Sequence, residues 1–237
     1  MKQLLLLSNS TNPGEGYLEY PKESIRNFLG SDVKKVLFVP YAAVTISFDA
    51  YLDSVKVALS SLEIEIEGIH MSKDPKLAIS QADAIFVGGG NSFALLKELQ
   101  KNDLVKTIFD NVMDGTPFIG WSAGSNLACP SIRTTNDMPI VEPQSFEGLG
   151  LIPFQINPHY TNAKIPNHGG ESRDLRIAEF LVKNQGMKVV GLPEGNILKV
   201  EGSRISLIGK GPITLFSYGN EPENLTSLDQ LQGLVSN

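Results

Sequence analysis

The sequence predicts an α/β fold with a mostly parallel, doubly wound sheet flanked by helices. Short apolar strands alternate with helical patterns throughout the first half of the 237-residue chain. Such alternation is typical of a parallel sheet with helices packed on both faces. The run at residues 35–39 is apolar almost throughout and β-branched, as a strand covered on both faces requires. Sheets of this kind carry their functional sites at the carboxyl ends of strands.

The first elements follow from their local patterns. Residues 3–7 are an apolar strand, residues 21–29 a short helix ending at Gly30, and residues 35–39 the next strand. A helix is predicted over residues 48–62, because its apolar residues recur on one helical face. Isoleucine alternates with glutamate in residues 63–69, which indicates a strand at an edge of the sheet.

The next elements lead towards a glycine-rich turn. A buried strand at residues 84–87 runs directly into Gly88-Gly89-Gly90-Asn91, and helices are predicted at residues 92–100 and 104–114. In the last third, residues 189–191, 197–200, 204–208 and 213–218 have strand patterns separated by tight glycine turns. Residues 201–203 are typical of a hairpin turn. Since neither a linker nor an internal repeat interrupts these patterns, we predict a single α/β domain over residues 1–237.

Composition excludes several classes of function. The net charge is −6 and the pI about 5.1, so no basic field favours nucleic acid or an anionic membrane. The only cysteine, Cys129, rules out an internal disulfide and every metal site built from several cysteines, and we expect it to be a buried apolar residue. The first apolar run is too short for a signal peptide and no stretch is long enough to span a membrane. A cytoplasmic enzyme is the expectation.

Gly120-Trp121-Ser122-Ala123-Gly124 is the most informative segment. It follows the apolar run at residues 117–119 and precedes small residues that suit a helix, so G-x-S-x-G stands between strand and helix as in a nucleophile elbow. Glycines are needed there because a Cβ at either flank would collide with the neighbouring strand or helix. Ser122 is therefore the predicted nucleophile, and the Ala123 N–H the predicted oxyanion donor.

A serine nucleophile needs a general base, and the chain has three histidines. His159 follows the apolar run at residues 154–156 and a proline-marked turn, which places it just beyond a strand end, at the level of the elbow. His168 lies in a polar, glycine-rich loop and is the weaker candidate. His70 ends the predicted edge strand and has no catalytic context. We favour His159.

A carboxylate must hold the histidine tautomer, and two candidates remain open. Glu194 lies in a Pro/Gly turn after the strand at residues 189–191, and Asp137 lies in the polar segment 133–139. The loop of Gly88, Gly89 and Gly90 matches neither the dinucleotide nor the P-loop pattern, so we interpret it as a second source of oxyanion donors rather than a phosphate site.

Several motifs together resemble the S51 serine peptidases, the family of the α-aspartyl dipeptidases. The resemblance spans essentially the whole chain and is carried by these segments: GWSAGSN at 120–126, CPSIRTTNDMPIV at 129–141, NPHY at 157–160, GESRD at 170–174, LPEG at 192–195 and VGGGNS at 87–92. It implies a monomeric fold like that of class I glutamine amidotransferases. It also implies Ser122 as nucleophile, His159 as base, Glu194 as third member and a requirement for Asp137, with no metal.

The implied reaction is hydrolysis of small peptides, Asp-X dipeptides with a free amino terminus. Arg173 matches the family pattern and is the expected partner of the substrate β-carboxylate, because a guanidinium binds carboxylates through two parallel hydrogen bonds. Arg133 and Arg176 are the alternatives, and Asp137 is the expected acceptor for the substrate ammonium. The competing functions are a cyanophycinase-like peptidase for β-aspartyl peptides and a non-catalytic, amidotransferase-like binding domain.

Overall fold

The computed structural model describes residues 1–163, 169–226 and 228–234. The strands are β1 Gln3–Leu7, β2 Lys35–Val39, β3 Glu65–Gly68, β4 Ala84–Val87, β5 Phe118–Trp121, β6 Gln155–Pro158, β7 Lys188–Leu192, β8 Ile197–Glu201, β9 Arg204–Ile208, β10 Ile213–Ser217 and β11 Glu223–Leu225. The helices are α1 Lys22–Leu29, α2 Phe48–Ala58, α3 Pro75–Gln81, α4 Ser92–Lys101, α5 Val105–Asp114, α6 Ala123–Leu127, α7 Arg173–Lys183 and α8 Leu228–Gln232.

The strands form a large sheet and a small one. The large sheet has the order β3-β2-β4-β5-β1-β8-β9, in which the first five strands are parallel and the last two antiparallel. The small sheet has the order β11-β10-β7-β6, with β6 and β7 parallel. The predicted α/β class is confirmed, and β3 lies at an edge as its alternation indicated. The small sheet was not foreseen as a separate unit.

Apolar side chains cover both faces of the large sheet. Leu5 and Leu7 of β1 pack in one cluster with residues of α1 and α2, whereas Leu4 and Leu6 pack in another with residues of α4 and α5. Successive residues of a strand point to opposite faces, so a strand of four consecutive leucines serves both clusters. The second cluster also contains residues from the small sheet, including Val190 and Leu192, which joins the two sheets through shared apolar packing.

Several boundaries differ from those predicted, each for a local reason. Helix α2 ends at Ala58 rather than at residue 62, because a 3-10 turn, Ser60–Leu62, and Glu63 with φ of 54° redirect the chain. Helix α3 was not predicted, although Asp74 caps it and Pro75 opens it. The predicted hairpin at residues 201–203 is confirmed, since Glu201 pairs with Arg204.

The helices of the described residues include none that is long and apolar enough to cross a bilayer.

Candidate active site

A strained turn presents Ser122 at the carboxyl end of β5. Ser122 has φ of 52° and ψ of −110°, a conformation rare for any residue with a side chain. A Cβ on Gly120 would lie 2.5 Å from the backbone of Gly124, and a Cβ on Gly124 would lie 2.1 Å from the Val87 carbonyl oxygen. Both collisions match the reason given above for glycine at these positions, one against the following helix and one against the neighbouring strand.

Two neighbouring backbone N–H groups, those of Ser122 and Ala123, have different roles in this turn. The Ser122 N–H donates to the Leu7 carbonyl at 3.1 Å, which anchors the turn to β1. Ala123 is the first residue of α6, and N–H groups in the first turn of a helix have no acceptor within the helix. The Ala123 N–H is therefore suited to bind developing negative charge beside Ser122.

His159 and Glu194 reach Ser122 from the small sheet. Strands β6 and β7 are parallel, with Pro158 paired to Leu192, so His159 and Glu194 emerge beyond the same edge. The His159 Nε2 lies 2.8 Å from Ser122 Oγ, and its Nδ1 lies 2.7 Å from Glu194 Oε1. The three side chains form a continuous hydrogen-bonded chain, and both His159 and Glu194 are partly open to solvent.

Ser8, directly after β1, connects the two sheets close to these three side chains. Its buried hydroxyl accepts from the His159 N–H at 2.9 Å and donates to the Leu192 carbonyl at 2.7 Å. The neighbouring Asn9 accepts from the Gly195 N–H at 2.8 Å. His159 has φ of 53°, and its own N–H bond to Ser8 holds the backbone there. Sequence reasoning missed Ser8 and Asn9, although polar residues directly after a buried strand were a usable signal.

The hydrogen bonds of the Asp137 carboxylate within the described residues go to groups other than the His159 imidazole. Asp137 Oδ2 accepts from the Ser92 N–H at 2.7 Å and from the Thr135 hydroxyl at 2.9 Å, at the N-terminus of α4. A carboxylate is favoured there by the helix dipole. The His159 Nδ1 bonds to Glu194, so the geometry favours Glu194 over Asp137 as the residue that orients the histidine.

Arg173 is the first residue of α7 and lies beside β6. Its Nη1 donates to Asn136 Oδ1, and Asn136 in turn donates to the Pro158 carbonyl at 2.7 Å. Burial and the nearby Arg176 lower the pKa of the Arg173 guanidinium, while Asp137 acts in the opposite direction. Arginine nevertheless stays charged at neutral pH. Arg173 is thus linked through Asn136 to the end of β6, the strand that His159 follows.

The alternative basic and imidazole groups are engaged elsewhere. Arg133 pairs with Glu147 at 3.5 Å and lies over the Phe146 ring. Arg176 pairs with Glu171 at 3.7 Å. His70 bonds to Asp49 Oδ1 at 2.9 Å and packs on Phe48. His168 lies outside the described residues. Cys129 is buried, as predicted, and burial raises the pKa of its thiol to about 12.

The glycine loop supplies fewer donors than the sequence suggested. The Gly88 N–H donates to the Val39 carbonyl at 3.1 Å, so the prediction of Gly88 as an oxyanion donor is corrected, because this amide already completes the sheet. Gly89 packs against the elbow, since a Cβ there would lie 3.1 Å from Ser122 Cβ. Gly90 has φ of 136°, and a Cβ would lie 2.2 Å from the Ala42 carbonyl oxygen.

Tyr51 and Trp121 hold this loop, which sequence reasoning did not foresee. The Trp121 Nε1 donates to the Tyr51 hydroxyl at 3.0 Å, and that hydroxyl donates to the Gly89 carbonyl at 2.9 Å. Burial raises the pKa of the Tyr51 phenol, so it remains a donor. In a trans peptide the N–H points away from the C=O, so the Gly90 N–H is directed away from Tyr51.

Comparisons with known proteins show which family this chain resembles. The sequence model of peptidase family S51 matches residues 4–208. Peptidase E of Nostoc sp. is 53% identical over 99% of this chain and 97% of its own length, and peptidase E of Shewanella sp. (strain MR-4) is 50% identical over 90% and 89%. The crystal structure of a putative peptidase E from Listeria monocytogenes EGD-e superimposes with a TM-score of 0.65 at 24% identity, covering 89% of this chain and all of that one.

Proposed function

The chain belongs to peptidase family S51 and is a serine-type peptidase, and on this basis we propose that it hydrolyses Asp-X dipeptides through a Ser122-His159-Glu194 triad. The observation that carries the proposal is the continuous chain from Ser122 Oγ to His159 Nε2 at 2.8 Å and from His159 Nδ1 to Glu194 Oε1 at 2.7 Å. Nucleophile and base lie within hydrogen-bonding reach, and the base is oriented by a third group.

The proposed reaction has two halves. Ser122 Oγ attacks the scissile carbonyl carbon while its proton passes to His159 Nε2, and the carbonyl oxygen becomes an oxyanion. His159 then gives the proton to the leaving amine, which breaks the C–N bond and leaves an acyl-Ser122 ester. Water attacks the ester, its proton passes through His159 back to Ser122, and the aspartate product leaves. Glu194 stabilises the imidazolium in both halves.

The proposed oxyanion hole combines the Ala123 N–H with an N–H of the glycine loop. The Gly90 N–H is the better candidate, because the Tyr51 hydroxyl holds the Gly89 carbonyl and so turns the amide of that peptide away from Tyr51. A donor whose direction is fixed in advance needs no reorganisation when charge develops. Tyr51 would then act as a positioning residue, through the Gly89–Gly90 peptide.

The variant Tyr51→Phe tests this arrangement. We expect kcat for Asp-Leu to fall about 10-fold with KM unchanged, a smaller loss than the 10²- to 10³-fold cost of removing an oxyanion donor outright. Steady-state kinetics measures the effect. A melting curve checks the stability of the variant, because the Trp121 Nε1–H loses its acceptor. Tyr41→Phe, at another buried tyrosine, is the matched control. A change in KM alone would argue against a role in the transition state.

The proposed specificity depends on Arg173 and Asp137. The substrate carries a β-carboxylate and an ammonium on its first residue, and the two protein groups have the complementary charges. Arg173 is partly buried beside β6 and Asp137 lies close enough to influence its pKa, so both substrate charges would meet a partner at one end of the site. The substrate would be bound at two points, its β-carboxylate by the Arg173 guanidinium and its ammonium by the Asp137 carboxylate. This arrangement favours aspartate over uncharged analogues.

Replacing Arg173 by methionine should cost Asp-Leu hydrolysis about 2–5 kcal/mol, because the substrate carboxylate is left unpaired. That corresponds to about 30- to 5,000-fold in kcat/KM. Activity on Asn-Leu should fall much less, and Arg173→Lys should recover only part of the loss, since an ammonium does not reproduce the two-pronged contact. Arg176→Met, one turn along α7, is the matched control. Equal losses on Asp-Leu and Asn-Leu would mean that Arg173 has a structural role.

A panel of Asp-Leu, β-Asp-Leu and Glu-Leu tests the substrate class directly. Hydrolysis of Asp-Leu alone is the expected result. Preference for β-Asp-Leu would indicate a cyanophycinase-like peptidase instead. If a fluorophosphonate labels Ser122 but no dipeptide is hydrolysed, Ser122 is a reactive nucleophile and the proposed substrate class is wrong.

A further inference from the structure

An apolar cavity of about 340 Å³ opens directly beside the glycine loop. Val44, Ile46 and Ile140 line it together with Tyr51, Gly89 and Gly90. This volume lies in the range of small-ligand sites, about 300–1,000 Å³. These lining residues include no charged side chain. The cavity therefore suits an apolar group. A charged group bound there would lose its hydration without gaining an oppositely charged partner.

Three apolar side chains at this cavity are unusually open to solvent. Val44 is 55% exposed, Ile46 50% and Ile140 51%. Single exposed apolar residues are common on protein surfaces and need no explanation. A group of them around one concave surface is more often a binding site. They come from two separate segments, residues 42–46 and 140, that meet at the glycine loop.

The glycine loop separates the cavity from the proposed catalytic site and borders both. Gly89 and Gly90 line the cavity, and a Cβ on Gly89 would lie 3.1 Å from Ser122 Cβ. The segment of residues 136–140 joins the two regions. Asn136 at one end bonds to Arg173, the Met138 carbonyl accepts from Asn91 at 2.9 Å, and Ile140 lines the cavity. The segment thus runs from the charged end of the site to an apolar end.

These observations assign different parts of a dipeptide to the two ends. The first residue of Asp-X carries two charges, for which Arg173 and Asp137 are partners of opposite sign. The side chain of X is the part of the substrate that varies and can be apolar. We infer that Val44, Ile46 and Ile140 form the subsite for the side chain of X and give the enzyme a preference for aliphatic residues there. This inference rests on the proposed dipeptidase function.

The test compares kcat/KM for Asp-Leu, Asp-Ala and Asp-Glu. The unmodified enzyme should prefer Asp-Leu over Asp-Ala at least about 10-fold, since even one methylene in an apolar pocket is worth about that much. Ile140→Ser and Val44→Ser should reduce the ratio to about 2- to 3-fold, because activity on Asp-Leu should fall more than activity on Asp-Ala. Ile140→Lys should reverse the order and favour Asp-Glu, because a cation then faces the side chain of X.

Val57→Ser is the matched control, since Val57 is 76% exposed on α2 and lies outside this lining. It should leave all three rates unchanged. If Asp-Ala is hydrolysed but neither serine variant alters the Leu/Ala ratio and Ile140→Lys does not favour Asp-Glu, the subsite is refuted and the dipeptidase function stands. If the unmodified enzyme hydrolyses none of the three dipeptides, the function and the subsite both fail.

Discussion

Replacing Ser122 by alanine is expected to lower kcat for Asp-Leu by about 10⁵- to 10⁶-fold, the loss seen when the nucleophile of a serine triad is removed. The alanine keeps the Cβ at the strained position, where φ is 52°. The hydroxyl that is lost has one hydrogen bond within the described residues, to His159 Nε2 at 2.8 Å. Removing it therefore leaves the packing intact, and the melting temperature should not change.

Steady-state kinetics and a melting curve measure the two parts of this prediction. Ser54→Ala, which removes an exposed hydroxyl on α2, should retain full activity and serves as the control for preparation. A fluorophosphonate should label the unmodified enzyme and the control but not the Ser122→Ala protein. More than a few per cent of residual activity in a normally folded Ser122→Ala enzyme would reject the nucleophile assignment.

Glu194→Gln is expected to lower kcat by about 10²- to 10⁴-fold with little change in KM. Glu194 accepts from His159 Nδ1 at 2.7 Å, so it fixes the tautomer in which Nε2 is free to take the serine proton. A glutamine can turn its amide N–H towards Nδ1 and stabilise the wrong tautomer. The split between kcat and KM separates this role from a binding role.

Asp137→Asn provides the contrast. Its carboxylate bonds to the Ser92 N–H and the Thr135 hydroxyl rather than to the imidazole, so we expect its loss to act on substrate binding. KM for Asp-Leu should rise, and discrimination against an N-acetylated substrate should weaken. If instead Asp137→Asn has the pure kcat defect and Glu194→Gln does not, the triad is Ser122-His159-Asp137.

Local sequence signals predicted the parts of the site that depend on local backbone geometry. The elbow required glycine at positions 120 and 124, and the distances of 2.5 and 2.1 Å to neighbouring backbone atoms explain why. The position of His159 beyond a strand end followed from an apolar run and a proline. Strand bounds such as Lys35–Val39 were also predictable, because a buried parallel strand is apolar along its whole length.

Contacts between distant segments were not predictable in the same way. Strand β8 pairs with β1, almost the whole chain away, and nothing in its own residues distinguishes that partner from β7. The hydrogen bond from the Gly88 N–H to the Val39 carbonyl depends on sheet register, and so does the bond from the His159 N–H to the Ser8 hydroxyl. The partner of Arg173 depends on how Asn136 is held by β6. Such features are set by tertiary packing.

Because the proposed triad is divided between two sheets, catalytic activity depends on how those sheets pack against each other. Ser122 belongs to the large sheet, His159 and Glu194 follow strands of the small one, and the Ser8 hydroxyl bridges them. Trp121, the only tryptophan, is buried within the large sheet. Its fluorescence therefore monitors the unfolding of the large sheet, whereas turnover also registers a partial opening that separates the small sheet and leaves the rest folded.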